Sequence, residues 1–430
     1  MTKIAILGTG YVGLVTGVCL AELGLEVVCI DHNQKKIKKL LEGIMPIYEP
    51  GLEELAIKNY QEGRLFFTTQ LSEIINEIEV LFIAVGTPAG IDGMPNLCYI
   101  EQVIRELKLI LKKDIVLVIK STVSVGTNAN IGIQLQTISS HKCHLVSNPE
   151  FLREGYAIHD FMYPSRIVIG TQSEEARKLM LKIYSHFVNC NVPIICTTPE
   201  TAELSKYASN GFLATKIAFI NEMANLCEEL GANVQEVAHI MGLDERIGKQ
   251  FLQVGPGFGG SCFPKDITAL NNMSQKLCLK NYIIESVIKS NDMRKKSLAQ
   301  KIINLALNKK IACLGLTFKA GTDDIRDSSA ISIINELLSH NLELKLYDPE
   351  GMENAKKIIN SKHIVWTDSI VQAIEDVDVI VILTEWPEFQ KIDFKLFAHN
   401  NVKPIIIDLR NLLNQEELVS LGFEYYGVGK

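Results

Sequence analysis

The 430-residue sequence has ten cysteines, from Cys19 to Cys313, and no CxxC pair among them. That absence removes the ligand spacing of zinc modules and the dithiol redox motif. In a chain too large to need disulfide staples, scattered cysteines point to a reducing compartment, and a cytoplasmic location is expected. No apolar run approaches the ~20 residues of a membrane helix. Met-Thr-Lys leads straight into Ile4-Ala5-Ile6-Leu7 without the apolar stretch and cleavage site of a secretory signal. Positive charge is also in short supply. With 43 Lys and Arg against 50 Asp and Glu, the net charge is −7, so no overall field gathers phosphate backbones or anionic lipid, and neither nucleic acid nor membrane is an expected partner. Short-period repeats and low-complexity tracts are missing too. His141, Cys143 and His144 lie close together, but no matching acidic or Cys/His set accompanies them; they read as the border of a strand, and no metal is expected.

What is present is the balance of a globular protein, 47% hydrophobic and 22% charged. The length suggests two or three domains of roughly 100–200 residues. Over the first 200 residues, short β-branched runs (Ile4–Leu7, Glu26–Ile30, Val80–Val85, Ile115–Ile119, His144–Val146) alternate with helical patterns, which predicts an α/β fold with a parallel sheet covered by helices. From about Glu200 to Leu230 there is no proline and apolar residues recur at helical spacing, predicting a long helix broken only by Gly211. A second helical run covers about Asn281 to Leu307. Strand–helix alternation restarts at Ile311–Leu316, Leu342–Tyr347, Val379–Leu383 and Pro404–Leu409. The expected layout is an N-terminal Rossmann-type domain (1–199), a central helical bridge (200–308) and a smaller C-terminal Rossmann-like domain (309–430). The two sheet domains are candidate structural echoes of each other.

Gly8-Thr-Gly10-Tyr11-Val12-Gly13 places GxGxxG directly after a strand and before a helical pattern. Gly8 permits the tight turn, Gly10 lets backbone approach a pyrophosphate, and Gly13 lets helix and strand pack closely. The anion then meets the free N–H groups of the helix start. Asp31 closes the following strand, where a carboxylate accepts ribose hydroxyls and repels a 2′-phosphate, so NAD is expected over NADP; Lys35 and Lys36 nearby weaken that preference. Gly86-Thr87-Pro88 and Ser121-Thr122-Val123 follow strands at the edge that lines a ligand crevice. Thr87 and Thr122 are candidate cofactor-side hydroxyls, although such residues are more often turn or cap residues.

The most informative stretch is Gly255-Pro-Gly-Phe-Gly-Gly-Ser-Cys262-Phe-Pro-Lys265-Asp266. A thiol among permissive glycines, with a cation and a carboxylate three and four residues on, points to chemistry; the other nine cysteines read as inert. Here the sequence resembles the UDP-glucose/GDP-mannose dehydrogenase family over essentially its whole length. The resemblance rests on GTGYVGL at the start, GTP at 86–88, STV at 121–123, NPEFLREG at 148–155, ELSKYASN at 203–210, GFGGSCFPKD at 257–266, GLTFKAGTDDIRDS at 315–328 and DLRN at 408–411.

The resemblance implies a four-electron oxidation of a nucleotide sugar at C6, with UDP-glucose favoured and GDP-mannose or a UDP-N-acetyl-hexosamine as alternatives. It implies that Cys262 adds to the intermediate aldehyde to give a thiohemiacetal, whose oxidation yields a thioester cleaved by water. Lys206 is implied to stabilise oxyanions, with Asn210 one helical turn on; Asp266 and Glu150 handle protons and water, and Thr122 positions that water. Phe151, Leu152, Arg153 and Glu154 match a loop near substrate and nicotinamide, and Phe251, Leu252 and on to Gly255 match a segment along the sugar nucleotide, with Gly259 beyond it. Lys319 matches a substrate contact in a C-terminal UDP-sugar-binding domain. Lys265 and Arg326, with Tyr11, Val12 and Lys36, match positions near NAD, and Arg246 a residue reaching a neighbouring subunit's substrate, so at least a homodimer is implied. Without the resemblance, Lys319, Arg326 and Arg410 read as surface cations and Phe151 and Phe251 as core. Two departures stand out. Asn96 and Cys98 replace the usual acidic residue and serine. Gly211 replaces alanine, which is expected to loosen an interior helix by roughly 0.5–1 kcal/mol.

Overall fold

The computed structural model describes residues 2–136, 141–306, 309–397 and 403–430. The chain divides into two compact units, Met1–Ser209 and Asn210–Lys430. The first is built on an eight-stranded sheet of β1 (Lys3–Leu7), β2 (Glu26–Ile30), β3 (Leu65–Thr68), β4 (Val80–Ile83), β5 (Ile115–Ile119), β6 (Cys143–Ser147), β7 (Ile167–Gly170) and β8 (Ile194–Thr197), in the order 3-2-1-4-5-6-7-8. Adjacent strands run parallel except β6 and β7. Every residue of β4 and β5 is buried, as expected where helices cover both faces of a parallel sheet.

The second unit carries a six-stranded parallel sheet: β9 (Ile311–Leu314), β10 (Leu344–Tyr347), β11 (Ile364–Trp366), β12 (Val379–Ile382), β13 (Ile405–Asp408) and β14 (Tyr425–Tyr426), ordered 11-10-9-12-13-14. Its first five strands repeat the 3-2-1-4-5 order of the first sheet, and the hydrogen bonds repeat as well. Gly8 donates to Ile30 O and Gly315 to Tyr347 O, both at 2.8 Å; Ala84 donates to Leu7 O and Leu383 to Leu314 O, again at 2.8 Å. After β2, Asp31 accepts from the Thr9 amide and hydroxyl. After β10, Asp348 accepts from the Thr317 amide and hydroxyl. The expected echo is therefore real, with one difference that matters. Asp348 also takes Trp386 Nε1 and the Leu316, Glu350 and Gly351 amides and is wholly buried. Its acceptor capacity is spent on its own chain, whereas Asp31 keeps an exposed edge.

The predicted long helix spans Pro199–Leu230. Another covers Tyr282–Leu305; Leu307, its expected end, lies outside the described residues. Gly211 does more than loosen the first of these. A Cβ there would stand 3.1 Å from Ile284 Cδ1 and 3.2 Å from Leu270 Cδ2, so the missing side chain permits close helix packing. Asn96, one residue before the N-cap Leu97, accepts the Cys98 amide on its Oδ1 at 3.0 Å at the start of helix Cys98–Ile110.

Two alanine substitutions separate crowding by flexible tips from crowding by backbone. Gly211→Ala, facing only methyl groups, is expected to lie within about 1 kcal/mol of wild type because the propensity gain offsets the crowding. Gly315, at φ +98° with a Cβ position 2.4 Å from Thr384 Cβ and 2.6 Å from Thr384 N, has no such escape; Gly315→Ala is expected to lose about 2–4 kcal/mol. Urea unfolding of both variants is the check.

Candidate active site

The first unit presents the glycine-rich turn between β1 and helix Tyr11–Glu22. Gly8 has φ +105°, and a Cβ on it would sit 2.5 Å from Ala84 O; one on Gly13 would sit 1.9 Å from Gly8 O. Both are glycine because their own fold demands it. Gly10 is different: a Cβ there meets nothing within 4 Å. Its bareness leaves space ahead of the helix's free N–H groups, the arrangement a pyrophosphate requires. Asp31, besides its bonds to Thr9 (3.1 and 2.8 Å), accepts the Asn33 amide at 2.9 Å, and Lys36 Nζ stands 3.5 Å from it. Burial pushes the Asp31 carboxyl up, but these donors outweigh it and hold the group below the usual carboxylate range. Tyr11 is turned to another task. Its hydroxyl bonds Glu49 and accepts the Gly155 amide, tying this helix to the 148–155 loop. Val12 is half-buried. Thr87 Oγ1 donates to Thr122 O at 2.8 Å, and Ser121 Oγ to Val85 O at 2.6 Å, so the GTP and STV turns are laced together at the ends of β4 and β5.

In the same unit, Lys206 Nζ lies 2.9 Å from Glu150 Oε1, with side chains only 4% and 6% exposed. Burial pushes the Glu150 carboxyl up, yet the Lys206 charge and hydrogen bond, the Leu152 amide and the charge on Lys120 together leave it below the ordinary range. The pair is thus ionic in a dry setting, which sharpens its field. Phe151 meets two cations: the Arg166 guanidinium sits 3.7 Å from its ring centre and the Lys206 ammonium 5.6 Å away. Arg153 is exposed and holds Asp160 through Nε (2.8 Å) and Nη2 (2.6 Å). Leu152 and Glu154 are half-buried.

In the second unit, Cys262 is the N-cap of helix Phe263–Lys276, at the end that favours negative charge. One turn on, buried Asp266 receives Lys265 Nζ on Oδ1 and Asn210 Nδ2 on Oδ2, each at 2.7 Å. The loop ahead of the cysteine is clamped by its glycines. A Cβ on Gly257 would meet Asn291 Oδ1 at 2.6 Å, on Gly259 Asp327 O at 2.3 Å, and on Gly260 the Phe318 ring at 2.8 Å. Asn291 fixes both sides of Phe258, accepting its amide at 2.8 Å and donating to its carbonyl at 3.1 Å. Gly255 donates to Asn221 and accepts from buried Arg294, and Arg410 reaches Phe318 O and Leu383 O. Phe251 adopts φ +64° and packs on Phe263, while the Leu252 side chain is in the core. Lys319 lies over the Phe318 ring. Arg326 grips Asp324 through Nε and Nη2. Arg246 is 89% exposed and chelates its neighbour Asp244. His144, inside β6, bonds Ser173, and no metal-ligand cluster occurs among the described residues.

Three family models match in sequence order, all of the UDP-glucose/GDP-mannose dehydrogenase family: its NAD binding domain at residues 2–188, its central domain at 200–293 and its UDP binding domain at 312–415. The chain belongs to this family. The family's NAD binding model covers the Gly8–Asp31 cradle, whose open space at Gly10 and ionised Asp31 fit NAD, the cofactor of this NAD-dependent oxidoreductase. A UDP-glucose 6-dehydrogenase of Rickettsia typhi is 46% identical over 431 residues, covering 99% of each chain. Bacillus subtilis UDP-glucose 6-dehydrogenase TuaD is 42% identical, covering 100% of this chain and 94% of its own. Among solved structures, a UDP-glucose dehydrogenase from Pyrobaculum islandicum has a TM-score of 0.90 at 34% identity, covering 99% and 97% of the two chains. A UDP-D-ManNAc dehydrogenase from Pyrococcus horikoshii has 0.85 at 29%, covering 100% and 99%.

For this family member, sequence reasoning passed over Thr9, Asn148, Asn221, Asn291 and Arg294. Thr9 carried a signal, a hydroxyl inside the GxG turn. Asn148 opens the NPEFLREG stretch but was given no role; Asn221, Asn291 and Arg294 are polar residues in otherwise ordinary segments, and only the fold brings them to the loops they hold. Replacing Asp31 by Ser removes the carboxylate that repels a 2′-phosphate; the NAD-over-NADP preference is expected to fall by ~10-fold or more, measured as the ratio of dissociation constants.

Proposed function

We propose that the chain oxidises UDP-glucose to UDP-glucuronate, consuming two NAD and one water, with Cys262 as the covalent nucleophile. The observation that carries the cysteine's role is its place as N-cap of a helix whose first turn holds Asp266 between Lys265 and Asn210; the UDP-glucose 6-dehydrogenases at 42–46% identity support the substrate. NAD, held at the Gly8–Gly13 turn with Asp31 at its ribose, would supply the hydride acceptor for both oxidations. Glu150, ionised beside Lys206, suits a group that takes a proton or activates water, and the Lys206 ammonium suits stabilisation of negative charge on the C6 oxygen. The Cys262 thiolate adds to the aldehyde carbon, and the oxygen takes up a proton to give the thiohemiacetal. Removal of hydride from C6 and of the hydroxyl proton leaves a thioester. Water adds to that carbonyl, and C–S cleavage returns the thiolate and frees the carboxylate. Asn210 steadies Asp266 on the cysteine helix, Asp266 shares the proton handling with Glu150, and Thr122 positions the water.

For binding we retain the loop Phe151, Leu152, Arg153 and Glu154, the segment Phe251 to Gly255 with Gly259, and Lys319 toward the sugar nucleotide. The Leu252 core position leaves that residue only its backbone for the purpose. Tyr11, Val12, Lys36, Thr87, Thr122, Glu154, Lys265 and Arg326 are assigned to the NAD side. We keep the three-part division into 1–199, 200–308 and 309–430 as functional domains, and a cytoplasmic setting; no helix of the described residues is long and apolar enough to cross a membrane. A homodimer is proposed because Phe212 (67%), Phe219 (46%) and Leu226 (51%) expose apolar surface at seven-residue spacing along the long helix. Exposed Arg246 suits a reach across to a partner's substrate.

The test is the NADH yield at 340 nm from limiting UDP-glucose. Two NADH per sugar nucleotide are expected, abolished by Cys262→Ala in a folded, NAD-binding variant. A yield of one, or turnover of GDP-mannose or a UDP-N-acetyl-hexosamine in place of UDP-glucose, overturns the reading.

A further inference from the structure

Lys120 is the last residue before the Ser121-Thr122-Val123 turn and is 5% exposed, an uncommon place for an ammonium. It donates to Asn148 Oδ1 at 3.2 Å. That oxygen also accepts the Tyr184 hydroxyl at 2.7 Å, and the Asn148 amide nitrogen donates to Val168 O at 2.7 Å. Asn148 is therefore locked in orientation, its oxygen turned toward Lys120 by two donors and its nitrogen anchored in β7. Two residues further along the same loop comes Glu150, paired with Lys206. This small, dry cluster thus holds two lysines and one glutamate. Were Lys120 only filling space, methionine would do so without the desolvation of an amine.

We propose that Lys120 is a positioning residue of the oxidation: its ammonium, pinned by Asn148, supplies a second fixed positive charge behind the Lys206–Glu150 pair without touching the substrate. The inference rests on the reading that Glu150 handles protons in the reaction. Burial pushes Lys120 down to about 8, opposed by the Glu150 charge and reinforced by Lys206. Lys120 is in turn one of the influences holding Glu150 low. The groups facing it are Glu150 from the loop after β6, Lys206 from the long helix and the Tyr184 phenol, which burial pushes up and so keeps neutral.

The sign follows from these contacts. Without the Lys120 charge, Glu150 binds its proton more tightly, so the acid limb of kcat/KM moves to higher pH. In Lys120→Met that limb is expected to rise by about one pH unit. In Lys120→Arg, which keeps the charge, it stays at the wild-type position. The experiment is the pH profile of UDP-glucose-dependent NADH formation for the full-length enzyme and both variants, with thermal melting and NAD titration to establish folding. Lys120→Gln, which keeps a donor to Asn148 but no charge, replaces Met if that variant does not fold. A folded, NAD-binding Met or Gln variant with the wild-type acid limb overturns the proposal. Failure of wild type to turn over UDP-glucose instead overturns the function reading beneath it, and the wild-type assay alone tells the two apart.

Discussion

A lysine and a glutamate that meet at 2.9 Å with almost no access to water set the terms for the first unit. Each buried ion costs several kcal/mol of lost hydration, and losing one partner of such a pair typically costs about 3–5 kcal/mol. The surroundings are arranged to offset that cost. The Leu152 amide satisfies the far Glu150 oxygen, and Phe151 lays its ring beside the Lys206 ammonium. One helical turn before Lys206, buried Glu203 accepts the Gly126 and Asn128 amides at 2.7 and 3.0 Å and the Ser147 hydroxyl at 3.1 Å. The start of the long helix is thereby bound both to the segment after β5 and to the end of β6, which fixes where Lys206 points.

The second unit solves a similar problem by different means. The buried carboxylate on its cysteine helix, Asp266, is charge-balanced by a neighbour in sequence, Lys265, and steadied by an amide, Asn210. The loop that leads to Cys262 is held by backbone geometry, with glycines packed so closely against Asn291, Asp327 and Phe318 that no side chain fits. The two sheets share strand order and turn hydrogen bonding, yet only the first leaves its aspartate partly open and a bare glycine facing empty space. Shared architecture with divergent use of one carboxylate explains why a Rossmann-like sheet appears twice while the dinucleotide fingerprint appears once.

Much of this was legible in the sequence. The long helix begins one residue before its expected start and ends where its periodicity does, because no proline interrupts it; β2 and β5 match their expected bounds because both are β-branched and continuous. The strands that sequence reading passed over, β3, β7, β8, β11 and β14, lie at or next to the edges of the two sheets, and the four edge strands are only partly buried, so their sequences need not carry the long apolar run that marks a central parallel strand. At the site, glycines, Asp31 and Cys262 announce themselves because their chemistry is local. Asn148, Asn291 and Arg294 do not, because a polar residue acquires meaning only from the loop that folding delivers to it. Gly211 shows what propensity alone leaves out: it predicts a weaker helix, and the fold adds that the same position is a close contact.

The central claim is that the oxidised carbon is attached to Cys262 before it is released. The direct test is mass spectrometry of the Glu150→Gln variant after incubation with UDP-glucose and NAD, since slowing water activation should let the acyl-enzyme accumulate. The account predicts a UDP-glucuronyl thioester on the peptide that contains Cys262, discharged by hydroxylamine. A variant that forms NADH while every Cys262 peptide stays unmodified would contradict it.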